Sequence, residues 1–196
     1  MIIGITGGSG CGKTTLLTQI EKLGGLVLDC DAIYHRLITT DKEMLAAIEA
    51  RFPGTVEKGI LQRKKLGAIV FSNPAALLDL NAITHAAVKK DVLRQLESAP
   101  KLAAIDAIGL FEGKLAELCD VTVAVTAPRA QRIARLMARD GITREYAEKR
   151  LAAQHDASWF RDKCTHALEN DGDLDAFATK CVAFLRSIGI MDNNQT

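Results

Sequence analysis

Residues 7–14 read Gly7-Gly8-Ser9-Gly10-Cys11-Gly12-Lys13-Thr14, which fits the pattern G-x-x-x-x-G-K-[ST] of loops that bind nucleotide phosphates. The apolar residues before this stretch predict a short buried strand, and residues 15–23 after it predict a helix. In that setting the backbone N–H groups of the loop and the positive end of the helix dipole face the phosphate oxygens. An ordinary glycine-rich turn is the alternative, but the complete motif between a strand and a helix favours nucleotide binding.

The loop ends in the two side chains that a triphosphate site requires. Lys13 is expected to bridge the β- and γ-phosphates of ATP and to act in catalysis, and the Thr14 hydroxyl is expected to ligate Mg²⁺. ATP and Mg²⁺ are therefore the predicted cofactors. The residues predicted to bind ATP in this stretch are Gly8, Ser9, Gly10, Cys11, Gly12, Lys13, Thr14 and Thr15.

The composition limits the partners of the chain. The 196 residues include 25 basic and 24 acidic side chains, so the net charge of +1 gives no argument for a nucleic-acid groove or a membrane surface. No apolar run is long enough to span a bilayer, and no signal peptide is expected because the chain starts with a predicted strand. Five cysteines without C-x-x-C spacing predict reduced thiols in a cytoplasmic protein. The expected partner is a small-molecule substrate, and the oligomeric state stays open.

Short apolar stretches alternate with helical stretches along the rest of the chain. Further strands are predicted at residues 26–28, 102–108, 121–125 and 167–169. With residues 1–6 they predict one α/β domain built on a doubly wound parallel sheet of about five strands. The predicted parts are a core of residues 1–35, 100–127 and 158–190, a helical, strand-free insertion of residues 36–99 for the second substrate, a helical lid of residues 128–157 and a frayed tail of residues 191–196.

Three acids lie near the ends of predicted strands. Asp29 and Asp31 follow the strand at residues 26–28, and Asp106 lies near the end of the next strand. Ligands of open α/β sheets bind at that edge, where a carboxylate can hold Mg²⁺ through water or accept the proton of an attacking hydroxyl. Asp31 could instead cap the next helix. For Asp106, a place in the magnesium shell and a plain turn residue are equal alternatives.

A group of arginines lies in the predicted lid. Arg132, Arg135 and Arg139 are spaced i, i+3 and i+7, so they share one helix face, and Arg150 lies on the next helix. A helical hairpin with arginines is typical of a lid that closes over ATP and neutralises charge on the transferring phosphoryl group. A solvated basic face is the alternative. His85 lies in a predicted helix without a partner at the spacing of a ligand pair, so its position alone predicts a structural or surface role.

The chain resembles the dephospho-CoA kinase family along nearly its whole length. The first eight residues with the loop, followed by Leu28-Asp29-Cys30-Asp31, are similar to the opening of that family. The further similar segments are Leu61-Gln62-Arg63 with residues 66–71, residues 81–85, residues 106–112, residues 135–140 with Arg150 and Gln154, and Asn170-Asp171-Gly172. The chain departs from the family at Ala86, where the family has proline, and at Ile108-Gly109, where it has Pro-Leu.

The resemblance implies a P-loop kinase-like fold and a defined reaction. The enzyme would transfer the γ-phosphoryl group of ATP to the ribose 3′-hydroxyl of dephospho-CoA, the last step of coenzyme A synthesis. It implies Asp31 as the catalytic base, a lid in which Arg139 is catalytic, and Arg135 and Asn170 in the ATP site. The insertion would be the CoA-binding part. The residues expected to bind substrate are Asp29, Arg63, His85, Asp106 and Glu112.

Other nucleotide-binding proteins are alternatives. A transport ATPase would carry further strands before the loop and an L-S-G-G-Q helix, and a GTP-driven switch would carry N-K-x-D; neither motif occurs in the sequence. A non-catalytic ATP-binding module would not need the acids and the lid arginines. Another small-molecule kinase, acting on a nucleoside or on shikimate, is the nearest alternative because it would share the loop and the lid.

Overall fold

The computed structural model describes residues 1–190, in which helices cover both faces of a five-stranded parallel sheet. The strands are β1 Ile2–Thr6, β2 Leu26–Asp29, β3 Val56–Glu57, β4 Ile60–Leu61, β5 Ala103–Asp106, β6 Val121–Thr126 and β7 His166–Glu169. The helices are α1 Lys13–Lys22, α2 Cys30–Thr40, α3 Lys42–Arg51, α4 Arg63–Val70, α5 Pro74–Leu96, α6 Arg129–Asp140, α7 Arg144–Ala152, α8 Ala157–Lys163 and α9 Leu174–Ser187, with a 3-10 turn at Ala116–Leu118. The predicted frayed tail, residues 191–196, lies outside the described residues.

The five strands of the main sheet are arranged in the order β2-β5-β1-β6-β7, and every neighbouring pair is parallel. Because helices cover both faces, the central strands read as continuous apolar runs rather than as alternating patterns. The adjacent residues Ala104 and Ile105 of β5 point to opposite faces of the sheet, and both are fully buried. The prediction of a doubly wound parallel sheet of five strands is confirmed.

Two apolar layers hold the helices on the sheet. On one face α1 and α9 pack against β1 and β6 through Leu16, Ile20, Phe177 and Leu185. On the other face α2, α3 and α5 pack against β2 and β5 through Leu28, Ile33, Ile48, Val92 and Ile105. The carboxyl edge of the sheet therefore lies between two rigid layers, and the loops that follow β1, β2 and β5 are presented from a fixed support.

The strand register brings the carboxyl ends of three strands together. Asp29 at the end of β2 is paired with Asp106 at the end of β5, and Asp106 is also paired with Ile5 of β1. The glycine-rich loop starts two residues after Ile5. As predicted from the ends of the strands, both acids therefore lie at the edge from which the loop emerges.

The insertion contains a small hairpin that the sequence analysis missed. Val56–Glu57 and Ile60–Leu61 pair as antiparallel strands, so the prediction of a strand-free segment at residues 36–99 is wrong. The turn uses Lys58 at φ 52° and Gly59 at φ 78°, the two positive φ angles that a tight two-residue hairpin turn requires. The strands have two residues each, too few for a hydrophobic pattern to predict.

The lid segment has an apolar core of its own. α6 and α7 pack against each other and are joined by residues 141–143. Gly141, in the left-handed conformation, ends α6. The buried residues between them are Ile133, Leu136, Ala147 and Leu151. Thr143 caps α7 by accepting the N–H of Tyr146, as its position in the sequence predicts. No helix within residues 1–190 has the length and apolarity to cross a membrane.

Candidate active site

The glycine-rich loop joins β1 to α1 in a path that side chains would block. Gly12, at φ 97°, ends the loop, and a Cβ there would lie 2.3 Å from Nδ2 of Asn170. Gly7 has φ 139°, and a Cβ there would lie 2.1 Å from the carbonyl oxygen of Val125. Since α1 begins at Lys13, the N–H groups of Lys13 and Thr14 have no acceptor within the helix and are available to an anion held in the loop. This is the geometry of an anion site at a helix N-terminus.

Three consecutive carbonyl groups of the loop are hydrogen-bonded from outside. Arg132 Nε donates to the carbonyl of Ser9 at 2.9 Å, Arg135 donates to that of Gly10 at 3.3 Å, and Asn170 Nδ2 donates to that of Cys11 at 3.0 Å. These bonds fix the carbonyl dipoles away from the concave side of the loop. An anion on that side therefore meets N–H groups rather than repulsive carbonyl oxygens.

The loop forms one wall of a cavity of about 650 Å³. Asp29, Asp31 and Asp106 line it from the sheet edge, and the lid contributes arginines. The predicted ATP residues that line this cavity are Gly8, Ser9, Gly10, Cys11, Gly12, Lys13, Thr14 and Arg135, together with the predicted catalytic Arg139 and with Arg150. Thr15 lies one residue further into α1 and does not line the cavity; Asn170 supports the loop from behind.

Lys13 and Asp106 form a half-buried ion pair at the base of this cavity. Lys13 Nζ donates to the carbonyl of Gly7 at 3.2 Å and lies 3.7 Å from Oδ1 of Asp106. Within residues 1–190, that buried Oδ1 accepts no hydrogen bond. Burial raises the pKa of Asp106 to about 6 against the attraction of Lys13, and the charges of Asp29 and Asp31 add to the rise.

The oxygen atoms at this point fit a magnesium site that the nucleotide completes. In the described part of the chain, no group of three or more His, Cys, Asp or Glu side chains is arranged to hold a metal ion. Magnesium in kinase sites is held by one or two protein oxygens together with phosphate oxygens and water. The hydroxyl of the exposed Thr14 and Oδ1 of Asp106, which accepts no hydrogen bond within residues 1–190, are oxygen ligands of that kind, and both residues border the cavity.

The buried carboxyl of Asp106 leads to a prediction about stability in the nucleotide-free protein. Because its pKa is higher in the folded state than its ordinary value, Asp106 contributes most to stability below about pH 4, and the contribution is lost as the pH rises through about 6. The free energy of unfolding of Asp106→Asn is therefore expected to be about 3 kcal/mol higher than that of the parent at pH 8 and equal to it near pH 4. Urea denaturation across this pH range measures the difference, with the exposed Glu21→Gln as control. A difference that does not change with pH would contradict the prediction.

The two acids after β2 have different positions. Asp29 caps α2, since its Oδ1 accepts the N–H of Ala32 at 3.0 Å. The alternative interpretation of Asp31 as the helix cap is therefore wrong; Asp31 lies in the first turn of α2. Its side chain lines the phosphate-loop cavity and also a second, neighbouring cavity.

The second cavity lies between the insertion and the sheet and has a volume of about 320 Å³. α2 and α5 form one side, and the residues after β5 form the other. Its polar lining includes Asp31, Asn81 and His85, and its apolar lining includes Leu80 and Val88. Asp31 and Ile108 line both cavities and so stand at their junction.

The remaining residues of the predicted substrate site are only partly brought together. A Cβ on Gly109 would lie 3.8 Å from Oε2 of Glu112 and 3.9 Å from Nε2 of His85, so these two side chains flank Gly109 at the second cavity. Glu112 also contacts His155 Nε2 at 3.2 Å. Arg63 begins α4, is exposed and lines neither cavity.

The two departures from the family pattern lie in different places. Ile108 and Gly109 line the second cavity. Ala86 faces away from it, in a groove that also contains Leu37 and Asp41. Only the departure at Ile108-Gly109 therefore borders the second cavity, because the adjacent residues His85 and Ala86 lie on different faces of α5.

Two residues that support the loop were not predicted in this role. Arg132 was grouped with the lid arginines, but it is buried and binds the backbone of Ser9. Gln154, two residues beyond α7, binds Ser9 as well. The spacing of Arg132 and Arg135 on one helix face was the available signal, since both contact the loop. Arg139 instead pairs with Asp140 at 2.6 Å, and Arg150 pairs with the same acid at 2.8 Å.

The parallel sheet, the glycine-rich loop with its lysine and the arginine-bearing helical pair define a kinase of the P-loop class. A family model described as dephospho-CoA kinase matches residues 1–176. The chain belongs to the dephospho-CoA kinase family.

Individual relatives agree with this assignment. A dephospho-CoA kinase of Deinococcus radiodurans is 38% identical over 193 residues, which is 96% of this chain and 92% of the relative. A solved structure from Thermus thermophilus has 34% identity and a TM-score of 0.79, covering 96% of this chain and 97% of its own. The dephospho-CoA kinase of Campylobacter jejuni has 25% identity and a TM-score of 0.66, covering 95% and 96%.

Proposed function

We propose that the protein is the kinase that transfers the γ-phosphoryl group of ATP to the ribose 3′-hydroxyl of dephospho-CoA, giving coenzyme A and ADP as the last step of coenzyme A synthesis. Family membership supports the reaction and the acceptor. The observation that carries the proposal for the site is the position of Asp31, whose side chain lines both the phosphate-loop cavity and the cavity of the insertion. One carboxylate thus faces the donor and the acceptor.

On the donor side, the chain's own groups bind and orient the triphosphate. The N–H groups of the loop and of the start of α1 bind the β-phosphate, and Lys13 lies between the β- and γ-phosphates. Arg135 and Arg139 add positive charge from the lid side of the cavity. Mg²⁺ would be held by Thr14 and, directly or through water, by Asp106, and when bound it neutralises charge on the phosphate oxygens.

On the acceptor side, Asp31 accepts the proton of the 3′-hydroxyl. As that oxygen forms its bond to the γ-phosphorus, the bond from the γ-phosphorus to the β–γ bridging oxygen breaks and ADP leaves with the bond electrons. The insertion, residues 36–99, holds the acceptor with His85 and the polar side of the second cavity, and Glu112 flanks the same wall. Asp29 and Arg63 complete the proposed substrate residues.

The lid, residues 128–157, excludes water from the transferring group. Two of its arginines, Arg139 near the end of α6 and Arg150 near the end of α7, are held side by side because Asp140 binds both. That arrangement keeps two positive charges near the mouth of the phosphate-loop cavity, which both side chains line. Closure of the lid over ATP would direct both arginines to the γ-phosphate.

An acceptor panel tests the proposed function. Purified protein with ATP and Mg²⁺ is expected to release ADP with dephospho-CoA far faster than with adenosine, with shikimate or with water alone. Coenzyme A is the matched control because its 3′-hydroxyl already carries the phosphoryl group, and it is expected to give no ADP above background. Mass spectrometry and phosphorus NMR of the product identify the phosphorylated hydroxyl. Turnover of another alcohol without turnover of dephospho-CoA would retain the kinase class and reject the proposed acceptor.

A further inference from the structure

Ser9 of the phosphate-binding loop is held on all three of its polar groups by two side chains of the lid segment. Its N–H donates to Oε1 of Gln154 at 2.9 Å, and its hydroxyl accepts from Nε2 of Gln154 at 2.8 Å. Its carbonyl accepts from Nε of Arg132 at 2.9 Å. Arg132 also donates to Oε1 of Gln154 at 3.1 Å, so the three residues form a closed network.

The network is enclosed and has little freedom. Arg132 and Ser9 are buried, with exposed fractions of 9% and 7%. A Cβ on Gly8 would lie 2.0 Å from Nη2 of Arg132, which shows how closely the guanidinium group is packed on the loop backbone. Oε1 of Gln154 accepts two of the four hydrogen bonds, so this one oxygen connects the loop amide to the guanidinium group.

The position of Gln154 in the chain gives the network its role. Arg132 lies in the first turn of α6, and Gln154 follows the end of α7, so the network joins both ends of the lid hairpin to the loop. Asp140, which pairs with Arg139 and Arg150, lies at the other end of α6 from Arg132. The hairpin is therefore anchored at the loop near its first and last residues, and Asp140 with its two arginines takes no part in this network.

We infer that Gln154 is a positioning residue that holds the phosphate-binding loop in the conformation that binds ATP. Gln154 acts through Ser9 and does not itself line the phosphate-loop cavity. Without its side-chain oxygen, the Ser9 N–H and one Arg132 N–H lose their acceptor in an enclosed site, and the loop gains alternative conformations. ATP binding must then offset the entropy cost of ordering the loop again, so the affinity for ATP falls.

ATP affinity of Gln154 variants, measured by calorimetry without acceptor, tests the inference. Gln154→Met keeps the length of the side chain and removes its hydrogen bonds; it is expected to raise the Kd of ATP about tenfold. Gln154→Glu keeps an oxygen acceptor for Ser9 and Arg132 and is expected to stay within about threefold of the parent. Lys149→Leu, an exposed change on α7, is the matched control and is expected to stay within about twofold.

Steady-state kinetics separate positioning from general stabilisation. For Gln154→Met we expect the KM of ATP to rise with its Kd, while the KM of dephospho-CoA stays within about twofold of the parent. A purely structural residue would lower the melting temperature and leave the Kd of ATP unchanged. The inference is overturned if the Kd of ATP for Gln154→Met stays within about twofold of the parent. It is also overturned if Gln154→Glu binds ATP as weakly as Gln154→Met does.

Two further points keep the test decisive. If Gln154→Met does not fold, Gln154→Asn replaces it. The Asn side chain is one methylene shorter than Gln, so the variant is expected to raise the Kd of ATP at least threefold. An unchanged Kd would overturn the inference. The inference rests on the proposed function in one respect, that the nucleotide bound by the loop is ATP. Since calorimetry needs no acceptor, failure of dephospho-CoA as a substrate rejects the proposed function and leaves this result standing.

Discussion

Lys13→Ala is expected to lower kcat/KM by about 10³-fold, the larger part of it in kcat. The Lys13 ammonium group lies at the base of the phosphate-loop cavity, 3.7 Å from Asp106, where neighbouring groups restrict solvent. A charge in such a place stabilises the negative charge that moves onto the bridging oxygen as the phosphoryl group leaves. Coupled assays of ADP release at saturating dephospho-CoA measure the loss.

Lys22→Ala is the matched control for that variant. Lys22 is exposed at the end of the same helix, and its removal is expected to leave kcat/KM within about twofold of the parent. Lys13→Ala also leaves the buried Asp106 carboxylate without its neighbouring cation, so the pKa of Asp106 is expected to rise further. Retention of more than a tenth of the parent kcat/KM by Lys13→Ala would reject the role of this lysine.

Asp31→Asn is expected to lower kcat by about 10²- to 10⁴-fold while the Kd of ATP stays within about threefold. The amide has nearly the shape of the carboxylate and cannot accept the hydroxyl proton. Because the side chain lines both cavities, this change removes the group that connects donor and acceptor without removing any group of the loop. Single-turnover kinetics and calorimetry measure the two quantities separately.

Asp29→Asn is the informative comparison. Asn is as good a helix cap as Asp, so the cap on α2 and the stability of the protein are expected to persist. Its kcat is expected to fall far less than that of Asp31→Asn. A larger loss for Asp29→Asn would make Asp29 the base, and an equal loss of ATP affinity in Asp31→Asn would make Asp31 a metal-binding or structural residue.

The sequence was sufficient for the parts of the site that depend on local pattern. The loop with Lys13 and Thr14 is contiguous, and the strand and helix around it follow from apolar runs of adjacent residues. The position of Asp106 also followed, because parallel strands end at the same edge and the acid ends an apolar run. These predictions needed no knowledge of which distant residues meet.

The parts that could not be predicted depend on long-range contacts or on very short elements. Ser9 and Gln154 are 145 residues apart, and no periodicity relates them. The hairpin at residues 56–61 is too short to leave a pattern, although Lys58-Gly59 is its turn. The position of Arg63 outside both cavities could not be derived either, because it depends on how α4 lies beside the hairpin, where Lys65 pairs with Glu57.

The common wall formed by Asp31 and Ile108 has a consequence for inhibitor chemistry. A single compound that carries a polyphosphate at one end and a ribose-linked group at the other would fill both cavities, with volumes of about 650 and 320 Å³. Joining the two halves makes the second binding step intramolecular, so such a bisubstrate ligand gains affinity beyond that of either half without any new contact. Such a ligand would bind more weakly to enzymes that share only the phosphate loop, because its selectivity would come from the half that enters the cavity beside the insertion.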